Sequence, residues 1–374
     1  YPDSNLLPGY VYLLTVLGSI ARLFNFSNAN NTMALLIKLP NIICDMISMY
    51  LIFKITKKYS NDTFALILSL LFGLDLSALF LSSVWGGFDS IAVLLILLAV
   101  YFMIDKKICK MIICIASATL IKWYSVILLP VFIIYSINVY RKNKKTDYAY
   151  LRKDIVLTAL LSVAVILLIY FSLSFNSLYN GNIFKMIYDK FICANINFQQ
   201  YSFDAFNLFT MLGVNRINMN LTANIINLFI LILIITAGII LYFKKSDRKD
   251  FVLVCALMLS AYVSFSMQIS APMTAIAVGL LYMSFSIYKD FRLYIVTAVM
   301  SFLSFFNMAI VLNALKQLNA YILSGTYSGI TPNGVWMIFG SVLQILSFMY
   351  LCYITFDIII NKNKKIITKE NLNI

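Results

Sequence analysis

The stretch from Leu221 to Lys249 reads LTANIINLFILILIITAGIILYFKKSDRK. Leu221 to Phe243 pass without a charge, and the chain then runs into Lys244, Lys245, Arg248 and Lys249. At about 1.5 Å per residue such a run spans roughly 34 Å as a helix, enough to cross the ~30 Å hydrocarbon core of a bilayer. The rest of the chain has the same texture. Of its 374 residues, 62% are hydrophobic, 15% are aromatic and only 12% are charged, and the mean hydropathy is +0.89. Soluble domains carry about 25% charged residues, so a soluble globular protein and a disordered chain are both excluded. A membrane β-barrel would alternate apolar and polar residues, and this chain does not. Histidine is absent, which removes imidazole bases and imidazole metal ligands from consideration.

Apolar stretches of helical length fall at 33–53, 63–81, 90–104, 109–121, 123–140, 154–174, 221–243, 251–268, 273–287, 293–312 and 335–360. Counting each as a crossing predicts an all-α polytopic membrane protein of about 11 transmembrane helices. Those at 90–104, 109–121 and 273–287 are short, as expected of broken or partly submerged helices around a cavity. The chain begins at Tyr1 rather than Met. The expectation is that one further span precedes it, for about 12 in all.

The net charge of +14 suggests nucleic acid in a soluble protein. In a chain this apolar it reports topology instead, because Lys and Arg gather in cytoplasmic loops, and no nucleic-acid partner is expected. The alternate loops 54–62, 105–110, 141–153, 244–250, 288–292 and the tail after 361 hold 22 of the 29 basic residues. They are therefore assigned to the cytoplasm, in the cell membrane of a multi-pass protein. The outer side then holds 1–32, the turn at 82–89, the loop 175–220, the turn near 269–272 and the loop 313–333. The segment 10–24 is apolar, but as a span it would invert every later loop, so it is placed as a helix lying on the outer surface. Three segments follow from this: an extracytoplasmic 1–32, a membrane core 33–215, and C-terminal helices with a basic tail over 221–374. The six cysteines form no CxxC pair and no disulfide framework.

Ionisable residues at the outer ends of spans are the informative ones, because charge in a bilayer is costly. Val84-Trp85-Gly86-Gly87-Phe88-Asp89-Ser90 forms an outward turn just ahead of a helix. Asp89 reads either as the N-cap of that helix or as a carboxylate contacting sugar hydroxyls. Trp85 reads as an interfacial aromatic, and Gly86 with Gly87 as a tight turn or as a backbone that a substrate can approach. Lys122 is either a lysine snorkelling to the interface or a cation for a phosphate head group. Lys38 and Asp45 lie seven apart on one helix face, so an internal ion pair or an interhelical hydrogen bond is expected. Asp204 reads as a cap for the short helix ending at Gly213, Asn207 lies within that segment, and Arg216 just beyond it is placed to meet a phosphate.

These residues also carry a family resemblance. Pro8-Gly9-Tyr10-Val11-Tyr12-Leu13-Leu14 resembles a "YPPGYLYLL" segment of glycosyltransferases of the GT-C fold that use polyprenyl-phosphate sugars. The bacterial relatives of the GPI second-mannose transferase are the group most resembled. Leu36-Ile37-Lys38-Leu39-Pro40 with Asp45 is similar to "LLKLPAILAD", Trp85-Gly86-Gly87-Phe88-Asp89-Ser90 to "WGQxDS", Lys122 with Leu128-Leu129-Pro130 to "KPQALLLLP", and Asp204-Ala205-Phe206-Asn207-Leu208-Phe209 with Leu212-Gly213 to "NAFNLWALLG". The matches are co-linear over about 1–215. Three departures stand out: the family's Gln is Gly87 here, its Asn-Pro before that turn appears as Leu74-Asp75, and a charged His-Glu-Arg-Tyr turn appears as the uncharged Gln268–Met273.

The resemblance implies a GT-C-like fold and inverting transfer of a mannose-like hexose. The donor is a polyprenyl-phosphate sugar, the acceptor an extracytoplasmic glycan or lipid, and neither cofactor nor metal is needed. It places the catalytic base in the first outer loop, where Asp3 is the carboxylate this sequence contains. Asp89 is the second catalytic candidate. Tyr10, Trp85, Gly86, Gly87, Lys122, Asp204, Asn207 and Arg216 are the expected substrate-binding residues. Two other readings remain open at this point: a secondary transporter or lipid flippase, and a catalytically inactive GT-C-like assembly factor. A transporter would show repeats and midplane charges, whereas here no repeat is evident and the charged candidates cluster at outer ends.

Overall fold

The structure, a computed structural model, describes residues 7–26, 31–143, 149–173, 200–244, 249–324 and 334–361. Its helices are α1 (Pro8–Leu23), α2 (Asn31–Tyr59), α3 (Asp62–Gly73), α4 (Leu76–Leu79), α5 (Asp89–Ile104), α6 (Ile108–Ile121), α7 (Leu129–Asn143), α8 (Ala149–Leu173), α9 (Leu208–Met211), α10 (Leu221–Lys244), α11 (Asp250–Phe265), α12 (Val278–Tyr288), α13 (Phe291–Ser324) and α14 (Gly334–Ile359). The only strands among the described residues are β1 (Ser202–Phe203) and β2 (Ile269–Ser270). The fold is all-α, as expected.

The span count is not as expected. Among the described residues five helical stretches are long and apolar enough to cross a membrane: Thr32–Tyr59, Leu221–Lys244, Ala271–Tyr288, Phe291–Leu315 and Gly334–Ile359. A bent pair, Asp62–Gly73 with Leu76–Trp85, makes six if it is one span. Four shorter apolar helices, Asp89–Ile104, Ile108–Ile121, Trp123–Val139 and Asp250–Phe265, have 10–17 residues. A 14-residue helix such as α6 reaches only about 21 Å, short of the ~30 Å core. Hydropathy registers that a segment is apolar. It does not separate a helix facing lipid from one enclosed by protein, and Ala271–Tyr288 is 94% buried.

The chain forms two compact units, Tyr1–Ser48 with Gly86–Gln199, and Met49–Trp85 with Gln200–Ile374. In the first, α5 and α6 form a tight antiparallel hairpin, turned at Asp105–Lys107 by Lys106 in the left-handed region (φ 62°). Helix α1 begins with proline at its first turn, where the missing N–H costs nothing. It docks onto α6 through Gly9, where a Cβ would meet the Leu120 carbonyl oxygen at 2.7 Å. Pro8, Leu17 and Ala21 are buried, while Val16, Leu23 and Phe24 are exposed, the apolar exposure that a surface-lying helix would place against lipid.

In the second unit α3 and α4 meet at a 42° break. Asp75 makes the break possible. Its Oδ1 accepts from Ser77 N (2.9 Å), Ser77 Oγ (2.6 Å) and Ala78 N (3.2 Å), capping α4. Its Oδ2 accepts from Tyr282 Oη (3.0 Å) and Ser301 Oγ (2.6 Å). A second buried cluster ties Arg292 to Asp290 at 2.8 Å and to Asp357 at 2.5 Å. Phe206 fills the space beside Gly340, whose absent side chain makes room for the ring.

Replacing Asp75 with Ala strands the buried hydroxyls of Tyr282 and Ser301 and uncaps α4. The expected loss is about 3 kcal/mol, read as a fall of several degrees in the unfolding midpoint in detergent, with Asp75→Asn milder. An unchanged midpoint for the Ala variant would contradict the pinning role.

Candidate functional site

An antiparallel hairpin places the N-terminus of one helix beside the C-terminus of the other. Helices α5 and α6 have 16 and 14 residues, so Asp89 in the first turn of α5 comes level with Lys122 just past the end of α6. Each charge then sits at the helix end whose dipole favours it. Lys122 Nζ is 2.9 Å from Asp89 Oδ2. The carboxylate is 2% exposed and the lysine side chain 19%. The Tyr124 hydroxyl approaches Asp89 Oδ1 at 3.4 Å. Asp89 is therefore not the N-cap of its helix: Phe88 holds that position and no side chain caps it. The carboxylate is spent on Lys122 instead. Nor is Lys122 a freely snorkelling lysine, since extended backbone at φ −141°, ψ 131° turns its side chain to the carboxylate.

Tyr10 of α1 closes the site from a third direction. Its ring centroid is 5.5 Å from Lys122 Nζ and 4.7 Å from the Phe88 ring, a cation–π contact over the ion pair. Its phenol is held above the usual range, first by burial, against the lowering pull of Lys122 and with a further rise from Asp89. It stays neutral and keeps a proton to donate. Lys38 lies here as well. Gly86 is in the left-handed region (φ 73°), and a Cβ on it would touch Lys38 Cγ at 3.3 Å and Cε at 3.5 Å. The lysine stem therefore runs over the Gly86 backbone. Of the two arms of that expectation the ion pair is the one not met at Lys38, which has no ion-pair partner among the described residues.

Asp204 and Arg216 form the corresponding pair of the second unit. Asp204 accepts from Asn215 Nδ2 (2.7 Å) and from Arg216 Nε (2.9 Å), and Arg216 Nη2 also reaches it. Asp204 is not a cap either: Asn207 caps α9 by accepting from Thr210 N at 2.9 Å. The backbone carbonyl of Asp204 accepts from Asn307 Nδ2 of α13 at 2.7 Å. β1 and β2 pair in parallel, Ser202 with Ile269 and Phe203 with Ser270, so the segments around Asp204 and Gln268 are one structure. Asp204, Arg216 and Gln268 all adopt positive φ, 56°, 58° and 64°. Strain of this kind collects at functional sites.

Trp85 belongs to the second unit, half-buried against Leu81, Ala271, Ala275, Met308 and Val311, and it ends a π-helical turn from Phe80. Gly87 lies in the same turn as Gly86. Asp3 lies outside the described residues. Among the described residues no group of three or more Cys, Asp or Glu side chains is disposed to hold a metal. Tyr124 and Asn41 were not singled out from sequence. Tyr124, two residues past Lys122, and Asn41, three before Cys44 on the Lys38–Asp45 face, carried only their spacing as a signal. No protein-family model and no characterised protein matches this sequence.

Lys122→Met leaves a buried carboxylate without its partner and is expected to cost about 3 kcal/mol. Adding Asp89→Asn removes the stranded charge and should return most of the stability. A double variant as unstable as the single one would show that the pair is not the source of the loss.

Proposed function

We propose that this chain is an integral membrane glycosyltransferase that moves a mannose-like hexose from a polyprenyl-phosphate donor to an extracytoplasmic glycan or lipid acceptor, with inversion. The observation that carries the reading is the Asp89–Lys122 pair beneath Tyr10. It is a cation held by a single carboxylate at the end of a short helix, in the co-linear set of segments that resembles the GT-C transferases.

The chemistry asks for little. The acceptor oxygen forms a bond to C1 of the sugar as the bond from C1 to the phosphate oxygen breaks, and the electron pair leaves on the phosphate. The acceptor hydroxyl loses its proton to a positioned carboxylate, for which the resemblance nominates Asp3. The phosphate is a stable anion and needs no general acid, but it does need cations. Lys122 supplies one. A phosphate that takes over the ammonium releases Asp89, which then accepts from a sugar or acceptor hydroxyl. In the second unit Arg216 is committed to Asp204 through Nε and Nη2.

A broken span is the feature that would favour a transporter. At the break in this chain both oxygens of Asp75 are saturated by five internal donors. That carboxylate is not open to a transported cation, which favours the transfer reading.

The test is transfer of labelled sugar from polyprenyl-phosphate mannose by the purified chain in lipid nanodiscs. Lys122→Ala is expected to lower donor use more than tenfold, while Lys107→Ala, at the exposed far end of the hairpin, leaves it unchanged. Equal effects of the two changes would reduce Lys122 to an interfacial anchor.

A further inference from the structure

Helix α2 is amphipathic in the inverted sense. Its exposed face carries Leu35, Leu39, Ile43, Met46 and Tyr50. At 100° per residue, Lys38, Asn41, Asp45 and Ser48 fall within about 80° on the opposite side. They extend about 15 Å along the axis. Asn41 is 0% exposed and Ser48 1%. Both the Oδ1 and the Nδ2 of Asn41 are buried without a hydrogen-bond partner among the described residues, and so is the Ser48 hydroxyl. In the same unit Ser90, next to Asp89, and Ser125, next to Tyr124, also have buried hydroxyls without a partner. Each such group carries a desolvation cost of about 1–3 kcal/mol. Polar glue between helices would be hydrogen-bonded. An amide with neither half engaged, beside a lysine with no counter-ion, has the character of a site waiting for its ligand.

We infer that Lys38, Asn41 and Ser90 hold the hydroxylated head group of the lipid phosphate, with Lys38 as the second cation on its phosphate beside Lys122. The inference rests on the transfer reading of this same site and adds which residues hold the sugar. An amide presents one acceptor and a two-proton donor side by side, and a sugar hydroxyl both donates and accepts. A cation or a bare phosphate would leave half of Asn41 unused. Lys38 laid over Gly86 brings this face to the Gly86–Asp89 turn.

The test is binding, so it does not depend on turnover. Polyprenyl phosphate and polyprenyl-phosphate mannose are titrated against the full chain in nanodiscs, for the wild type and for Asn41→Leu. The wild type is expected to hold the mannosylated lipid about tenfold more tightly than the bare one. Asn41→Leu is expected to hold both equally, at the wild-type strength for the bare lipid. Its thermal stability should be unchanged or raised, because an unpartnered buried amide has been removed. A variant that keeps the tenfold preference, or a wild type that never shows one, overturns the inference and leaves phosphate binding intact. A wild type that binds neither lipid overturns the transfer reading itself. Loss of stability in Asn41→Leu would mean that the amide is structurally bonded, which also overturns the inference. Ser90→Ala, expected to lose several-fold of the preference, supplies the same readout from a second helix.

Discussion

A carboxylate removed from water must find a cation or several donors, or it will not stay ionised. That constraint organises the first unit. Asp89 is 2% exposed, and its charge is tolerable only because Lys122 stands 2.9 Å away. The meeting depends on register. Helices of 16 and 14 residues joined by a three-residue turn bring an N-terminus level with a C-terminus, and one added turn would displace the partners by about 5.4 Å. Gly86 supplies the left-handed turn that delivers Asp89, and Gly9 supplies the close approach that lays α1 and Tyr10 over the pair. Shortness of the helices, awkward for crossing a bilayer, is what sets the charges beside each other.

The second unit obeys the same rule with different donors. Asp75 is held by two backbone amides and three hydroxyls. Asp290 and Asp357 share Arg292, and Asp250 accepts from the Tyr288 hydroxyl. Of these carboxylates Asp75 is saturated by groups that belong to the fold. Asp89 differs in having one strong partner, and a single partner can be exchanged where five cannot. This difference separates a structural pin from a site more sharply than burial does, since Asp75 and Asp89 are both buried.

The helical class was legible because composition alone excludes the alternatives. The number of crossings was not, because a run of apolar residues looks the same whether it faces lipid or protein: Val278–Tyr288 is buried throughout, while Leu221–Lys244 is largely exposed. Local spacing also gave Asp89 and Asp204 the wrong partners. Both sit where an N-cap is expected, yet Phe88 and Asn207 hold the cap positions. The carboxylates are taken by Lys122, 33 residues away, and by Arg216, 12 residues away. Contacts between distant segments carry no periodic signature. The co-linear motifs marked Tyr10, Gly86, Asp89 and Lys122, which the fold does bring together. They left Asn41 unmarked, because an asparagine in an apolar helix shows its meaning only once burial is known.

On the transfer reading, the energetics of an exchange at Lys122 follow from these neighbours. A buried ion pair is close to neutral against its desolvation, so replacing Asp89 by a phosphate oxygen on Lys122 changes little by itself. What decides the outcome is the fate of the released carboxylate and the number of cations facing the phosphate. Tyr124 and the Ser90 hydroxyl are at hand for Asp89, and Tyr10, kept neutral by burial, is a proton donor in the same place. Lys38 brings a charge that no carboxylate among the described residues now balances. Without ligand the three side chains of Lys38, Lys122 and Asp89 sum to a net positive charge, an arrangement that an anionic head group would relieve. On the transfer reading, donor binding is thus driven by charge already stored in the site, and release of the sugar-free carrier is the step that must work against it.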